Sequence, residues 1–229
     1  MPMKQYDNIR MLLFMVSGLF VSYFLILHVM KASVFAKVIT LCIASFLLIM
    51  LCFVTYQEEK KQKQKSNTIR QIMIVLALLY LFEVISFLFF EHGFGRNGIS
   101  SISFSNNVYQ TYFKTSFNIT PFRVISFYLV GLIRGTQSLS HVVINLVGNL
   151  IFFVPFAFFL PIFFPKFLKT KNFLIFMAVF VLVVELLQML LLTGSCDIDD
   201  WILNVSGAFL GYMLFKKFHI FTKLKKVVG

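Results

Sequence analysis

The chain has 229 residues, of which 59% are apolar and only 13% charged, and Phe alone occurs 31 times. A soluble core cannot absorb this much hydrocarbon, so the composition excludes an ordinary globular domain and makes lipid the solvent. The net charge of +12 does not point to nucleic acid, because the basic residues gather in connections between hydrophobic stretches, where orientation in a membrane accounts for them.

A spanning helix needs roughly 20 mostly apolar residues, each rising about 1.5 Å through about 30 Å of hydrocarbon. In chain order, residues 11–30, 38–56, 71–90, 141–160, 173–193 and 201–218 meet that description. The predicted fold is therefore all-α, a polytopic membrane helix bundle of about six transmembrane helices. The first stretch is longer than the roughly 7 to 15 residues of a signal-peptide core and no small-x-small cleavage site follows it, so it reads as a retained anchor. The fourth is interrupted by Pro155 and ends near Pro161, and the sixth is short. Residues 1–70 read as a two-helix hairpin with a basic loop, and residues 71–229 as a second membrane domain.

Lys and Arg favour the cytoplasmic side, which places the loop carrying Lys60, Lys61, Lys63, Lys65 and Arg70 inside. Parity then puts both termini in the cytoplasm. The same side takes Lys4 and Arg10, Lys166, Lys169 and Lys171, and the tail lysines Lys216, Lys217, Lys223, Lys225 and Lys226. Lys31, Lys37, Arg96, Lys114, Arg123 and Arg134 remain outside. This assignment holds only if residues 122–133 do not cross, and they are too few to do so. They read as one re-entrant or interfacial segment with Arg123 and Arg134 at its ends. Residues 91–120, rich in Gly, Ser and Asn, read as an irregular outer loop.

Ionisable and amide side chains inside a span are costly unless they face protein or water. His141, Asn145 and Asn149 are spaced four apart, which places them on one helix face. Glu185 and Gln188 share a face of the next helix, about 12 Å below Thr193 for the carboxylate. The last helix opens with Asp197, Asp199 and Asp200, followed on the Asp200 face by Asn204, Gly207 and Gly211. The Gly207-x-x-x-Gly211 spacing lets a second helix approach closely. These groups converge in the outer half of the bilayer. Asn145 and Asn149 fit either interhelical hydrogen bonds or ligand contacts. Asp199 or Asp200 fits a helix cap, which explains one carboxylate and hardly three; the group of Asp197, Asp199 and Asp200 also fits pairing with Arg123 or Arg134, or oxygen ligation of a divalent cation. Glu83 is a separate intramembrane acid with no motif around it. Cys42 and Cys52 lie about 15 Å apart along one helix, too far to bridge, and Cys196 stands alone at the outer surface, so no disulfide framework is indicated.

The runs Asn118-Ile-Thr-Pro121-Phe122 and Asn149-Leu-Ile-Phe-Phe-Val-Pro155-Phe, then Glu185-x-x-Gln188, and finally Asp197-Ile-Asp-Asp200-Trp-Ile-Leu-Asn204-x-x-Gly207-x-x-x-Gly211-Tyr212 resemble the VanZ-like family in order and spacing. The resemblance covers about residues 118–218 and leaves out the first two helices. It implies a bacterial cytoplasmic-membrane protein of a family whose name-giving members lower susceptibility to glycopeptide antibiotics, teicoplanin above all. One departure matters. Members usually carry an Arg shortly before the acidic block, whereas this chain reads Thr193-Gly194-Ser195-Cys196-Asp197. If that Arg pairs with an acid or a ligand, this chain must use another cation, such as Arg123 or Arg134, or differ in ligand.

Three functions compete. The first is binding of an amphiphile at the outer leaflet, such as a lipid-linked cell-wall precursor or a lipoglycopeptide tail, by Asn118, Pro121, Arg123, Arg134, Asn145, Asn149, Gln188 and Asn204. The second is an enzyme acting on a lipid carrier or wall intermediate, with Glu185 as general base, Asp200 beside it, and a divalent cation as cofactor on Asp197, Asp199 and Asp200. No nucleophile with a paired base supports it. The third, a transporter, lacks the internal repeats and broken midplane helices that mark permeases.

Overall fold

The computed structural model describes residues 68–90 and 106–219, together with 11–19, 21–23, 46–51 and positions 40, 43, 54, 55 and 57. The expected spans 11–30 and 38–56 are described in part, and residues 58–67 of the basic loop after them, Cys42, Cys52 and Arg96 lie outside these residues. The chain divides into two compact units, Met1–Phe82 with Leu224–Gly229, and Glu83–Lys223. The described part of the first unit is helical, including the first three turns and more of α1 (Thr68–Ile85).

Among the described residues three helices are long and apolar enough to cross a membrane, Ile69–Phe90, Leu139–Phe163 and Thr170–Leu190. The first is α1 prolonged by a π turn, Ser86–Phe90. Ile69, Ile72, Met73, Leu76 and Leu79 bury one stripe of α1, while Ile74, Val75, Leu78, Leu81 and Ile85 remain exposed. A helix apolar on both its buried and its exposed faces is what lipid as solvent selects.

The second span is assembled from pieces: α4 (Leu139–Val142), a π turn (Val143–Val147), α5 (Gly148–Phe152) and α6 (Val154–Phe163). Pro155 sits in the first turn of α6, where its missing N–H would have had no partner anyway. It therefore marks a bend at Phe153 and not an end, and α6 runs through Pro161 to Phe163. A 3-10 turn, Pro165–Leu168, leads into α7 (Thr170–Leu190), and the chain closes with α8 (Ile198–Lys217). The 20 residues of α8 match a span in length. With Asp199, Asp200 and Asn204 near one end and Lys216 and Lys217 at the other, α8 is too polar to sit alone in lipid and relies on its neighbours.

Two elements depart from the sequence expectation. Within the segment expected to be an irregular loop, Asn106–Thr115 forms a helix, α2. Its Tyr109 and Tyr112, one turn apart, donate their hydroxyls to the carbonyls of Leu190 (2.6 Å) and Gly194 (2.7 Å). Carbonyls at a helix C-terminus lack partners of their own, so these bonds favour helix over local turn preferences. The chain also forms a two-residue parallel pair that period-2 patterning never signalled: β1 (Phe117–Asn118) lies beside β2 (Cys196–Asp197), with Asn118 opposite Asp197. The segment expected not to cross is the 11-residue helix α3, Arg123–Ile133, about 16 Å long and too short to span.

The core of the second unit is the packing of α8 on α5, α6 and α7. At Gly207 a Cβ would land on the backbone carbonyl of Leu150, and at Gly211 it would lie 2.9 Å from Cγ1 of Val154. The Gly-x-x-x-Gly face is thus where α8 meets the backbone of α5 at Gly207 and the side chains of α6 at Gly211. Deeper along α8, Tyr212 is fully buried, stacks on Phe173 at 4.4 Å and donates to the Leu168 carbonyl at 2.7 Å. A chain of rings from Phe153 through Phe156 and Phe180 to Phe176 fills the space between α6 and α7.

Candidate functional site

The acidic block and the Asn-Ile-Thr-Pro run, 79 residues apart in sequence, bind one another. Beside the β1–β2 pairing, Nδ2 of Asn118 donates to Oδ1 of Asp197 at 3.1 Å, and the Thr120 N–H donates to Oδ1 of Asn118 at 3.2 Å. Asp197 is the N-cap of α8 and accepts from the Asp199 N–H at 2.8 Å. Asp199 caps a different helix. Its side chain is fully buried, its Oδ1 accepts from the Phe122 N–H, and its Oδ2 accepts from the N–H groups of Val124 (2.7 Å) and Ile125 (3.1 Å). Those are the partnerless donors at the start of α3, whose own N-cap, Phe122 (φ 62°), supplies no side-chain bond. A carboxylate borrowed from α8 thus satisfies the first turn of α3 and meets the positive end of its dipole.

Among the described residues, neither of these two carboxylates pairs with an Arg side chain at hydrogen-bond distance. Asp199 is met by backbone N–H groups, and Asp197 by an amide and a backbone N–H. Burial raises the Asp197 carboxyl above its ordinary value of 3.8; its hydrogen bonds from Asp199 and Asn118 oppose the rise, the Asp199 charge adds to it, and Arg123 is the smallest influence. Arg123 opens α3, Arg134 is its C-cap, and both are exposed, as is Pro121 in the preceding turn. The described residues contain no group of three or more His, Cys, Asp or Glu side chains that could hold a metal ion. The carboxylates of Asp197, Asp199 and Asp200 instead engage separate protein partners.

Asp200 faces the other way, toward the bundle. It accepts a hydrogen bond from Nδ2 of Asn149 on α5. One turn further along the same face, Asn204 is 4% exposed and its Oδ1 has no hydrogen-bond partner. The next turn is Gly207 against Leu150, the residue after Asn149, so Asn204 stands on the stretch of α8 that passes α5 at the Asn149 level. Tyr128 of α3 joins this neighbourhood. Its hydroxyl is pushed above its ordinary value by burial first and then by the charges of Asp200 and Asp197, so it remains a donor at neutral pH.

His141 and Asn145 do not reach this face as expected. His141 is exposed, and Nδ2 of Asn145 turns back to the His141 carbonyl at 2.8 Å. The π turn Val143–Val147 is the physical reason. Its i to i+5 bonding accommodates an extra residue, so positions four apart across it no longer stack in line.

On α7, Glu185 and Gln188 are both buried, as their spacing foretold. Nε2 of Gln188 donates to the Leu88 carbonyl at 3.3 Å, and its main-chain carbonyl accepts from the Thr193 N–H at 2.9 Å, closing the helix end. Glu185 lies about 8 Å along α7 from Leu190, and Asn204 about 9 Å along α8 from Ile198, so the two sit at similar depths on their own helices. Cys196 is not at an open surface; it is 8% exposed within β2. Burial first, then the charges of Glu185 and Asp197, raise its thiol above the ordinary value of 9.0. Because the thiolate is the nucleophile, a C42S/C52S variant is expected to react slowly with a maleimide at neutral pH and to accelerate only above the usual thiol range or on unfolding. Rapid stoichiometric labelling of the folded protein at pH 7 would contradict this placement of β2.

Residues that sequence reasoning passed over hold the site in shape. Trp201 Nε1 donates to the Ala178 carbonyl at 2.8 Å and ties α8 to α7, while Tyr109 and Tyr112 tie α2 to the end of α7. An aromatic residue with a polar handle beside the acidic block was the available signal. A family model described as VanZ/LLP1 matches residues 76–222, which extends the likeness well ahead of the Asn118 run and into α1. No curated protein and no solved structure matches the chain.

Proposed function

The chain belongs to the VanZ/LLP1 family, and on that premise we propose that it is a multi-pass protein of the bacterial cytoplasmic membrane, with about six spans and both termini cytoplasmic. Its task in this reading is to bind a lipid-linked cell-envelope molecule through polar groups in the outer half of the bilayer.

The observation that carries the proposal is Asn204, whose side-chain oxygen is buried without a hydrogen-bond donor one turn from the Asp200–Asn149 pair. Buried acceptors are almost always satisfied, and those that are not mark places where a further group belongs. Asn204, Asp200 and the Glu185 carboxylate are all acceptors, so the ligand head should bring hydroxyl or amide N–H donors. The apolar helices that line them suit an acyl or polyprenyl chain. A lipid-linked wall precursor meets both requirements, and so does a lipoglycopeptide of the teicoplanin type. Arg123 and Arg134, exposed at the two ends of α3, are placed to meet phosphate on such a head.

In cells expressing the protein, Glu185→Gln, Asp200→Asn and Asn204→Ala, each present in the membrane at the parental level, are expected to restore susceptibility to teicoplanin. Unchanged susceptibility in all three would end this reading.

A further inference from the structure

The end of the bundle opposite the acidic block carries a second concentration of charge, and it is of one sign. Lys166, Lys169, Lys171, Lys216 and Lys217 are all exposed there. They come from three separate segments: the 3-10 turn, the start of α7 and the end of α8. Specific bonds bring those segments together. The Tyr212 hydroxyl of α8 holds the Leu168 carbonyl at 2.7 Å, Lys216 Nζ donates to Oγ1 of Thr170 at 3.1 Å, and Nδ2 of Asn172 donates to the Lys166 carbonyl at 3.0 Å. Lys166 also lies over the Phe167 ring, 4.9 Å from its centre. A fold that merely tolerated these charges would let them spread apart to relieve repulsion; this one gathers them.

We propose that this lysine cluster is a docking surface for the phosphate headgroups of anionic phospholipids. Two features favour a lipid over a soluble anion. The cluster sits where two membrane-crossing helices end, at Phe163 and Thr170, which is the height of the headgroup layer. Exposed apolar side chains, Phe164, Leu214 and Phe218, border it and suit acyl chains beside the headgroup. Clusters of four to eight basic residues next to a span act in this way, and their attraction dies within a Debye length. The first turn of α7 adds N–H groups that no side chain caps, since Lys169 at the N-cap makes no such bond.

The test is thermal melting of the full-length purified protein in a neutral detergent, with phosphatidylglycerol, phosphatidylcholine or inorganic phosphate added. Phosphatidylglycerol should raise Tm and the other two should not. The rise should be lost in the surface variant K166Q/K169Q/K216Q, should survive in K114Q at the opposite end, and should shrink with added salt. An equal rise in the triple variant, no rise in the parent, or an equal response to free phosphate would overturn the proposal. Because the tested lysines lie at the end away from Asn204, failure here leaves the Asn204 reading standing.

Discussion

Asp199→Asn is expected to lower stability by about 3 kcal/mol or more, because both carboxylate oxygens accept backbone N–H groups and an amide can replace only one of them. The amide nitrogen would be turned against a donor, leaving at least one N–H of the α3 first turn buried and unsatisfied. The lost negative charge at a helix N-terminus adds to the loss. Since the whole fold of a typical domain is worth about 5 to 15 kcal/mol, this is a large share of it. Asp197→Asn provides the contrast. An Asn at the N-cap still accepts from the Asp199 N–H and from Asn118, and it removes a carboxyl whose charged form is disfavoured by burial. Its effect should stay within about 1 kcal/mol. The sign with pH follows: a raised folded-state value means that Asp197 contributes stability when protonated, below about 3.8, and loses that contribution as pH rises through its folded value. Denaturant melts of the two variants, with hydrogen exchange at Phe122, Val124 and Ile125, check this. Equal, small losses in both would mean that Asp199 does not cap α3.

Gly207→Ala should cost about 3 kcal/mol or prevent assembly, since the added methyl meets the Leu150 carbonyl, a backbone atom that cannot rotate aside. Relief requires α8 to move away from α5, which would also stretch the Asn149–Asp200 bond. Gly148→Ala is the control. Nothing lies within 4 Å of its Cβ position, and Ala has the higher helix propensity by up to about 1 kcal/mol, so it should be neutral or slightly stabilising. Each variant adds one methyl, on helices in mutual contact, so their difference in melting temperature isolates the close approach. Similar Tm values for both would show that the crossing is looser than described.

Much of this arrangement is legible in the sequence because it depends on spacing within one helix. Asp200, Asn204, Gly207 and Gly211 share a face by helical periodicity alone, and the face proves to be the one that meets α5 and α6. Glu185 and Gln188 are buried as their spacing implied, and residues 123–133 form a helix as short as the apolar run suggested. What stayed hidden depends on partners distant in sequence or on departures from regular geometry. No local pattern tells that Asp199 caps a helix begun 76 positions earlier, at Arg123, and the cap of α8 expected at Asp199 or Asp200 falls on Asp197. The helix α2 is drawn from a Gly- and Asn-rich stretch by tyrosine bonds to the far end of α7. The π turn before Gly148 breaks the assumption of 3.6 residues per turn on which the placement of His141 rested. Cys196 is buried by a two-residue strand too short for any alternation to announce.

The central claim is that Asn204 offers a buried acceptor to an amphiphile. The most direct measurement is the affinity of a fluorescent lipid-linked wall precursor for the protein in nanodiscs, in the parent and in Asn204→Leu, which keeps the forked shape at Cγ and replaces both polar atoms by methyls. Loss of one hydrogen bond to a buried acceptor predicts roughly tenfold weaker binding in the folded variant. Equal affinity in a folded Asn204→Leu protein would contradict it.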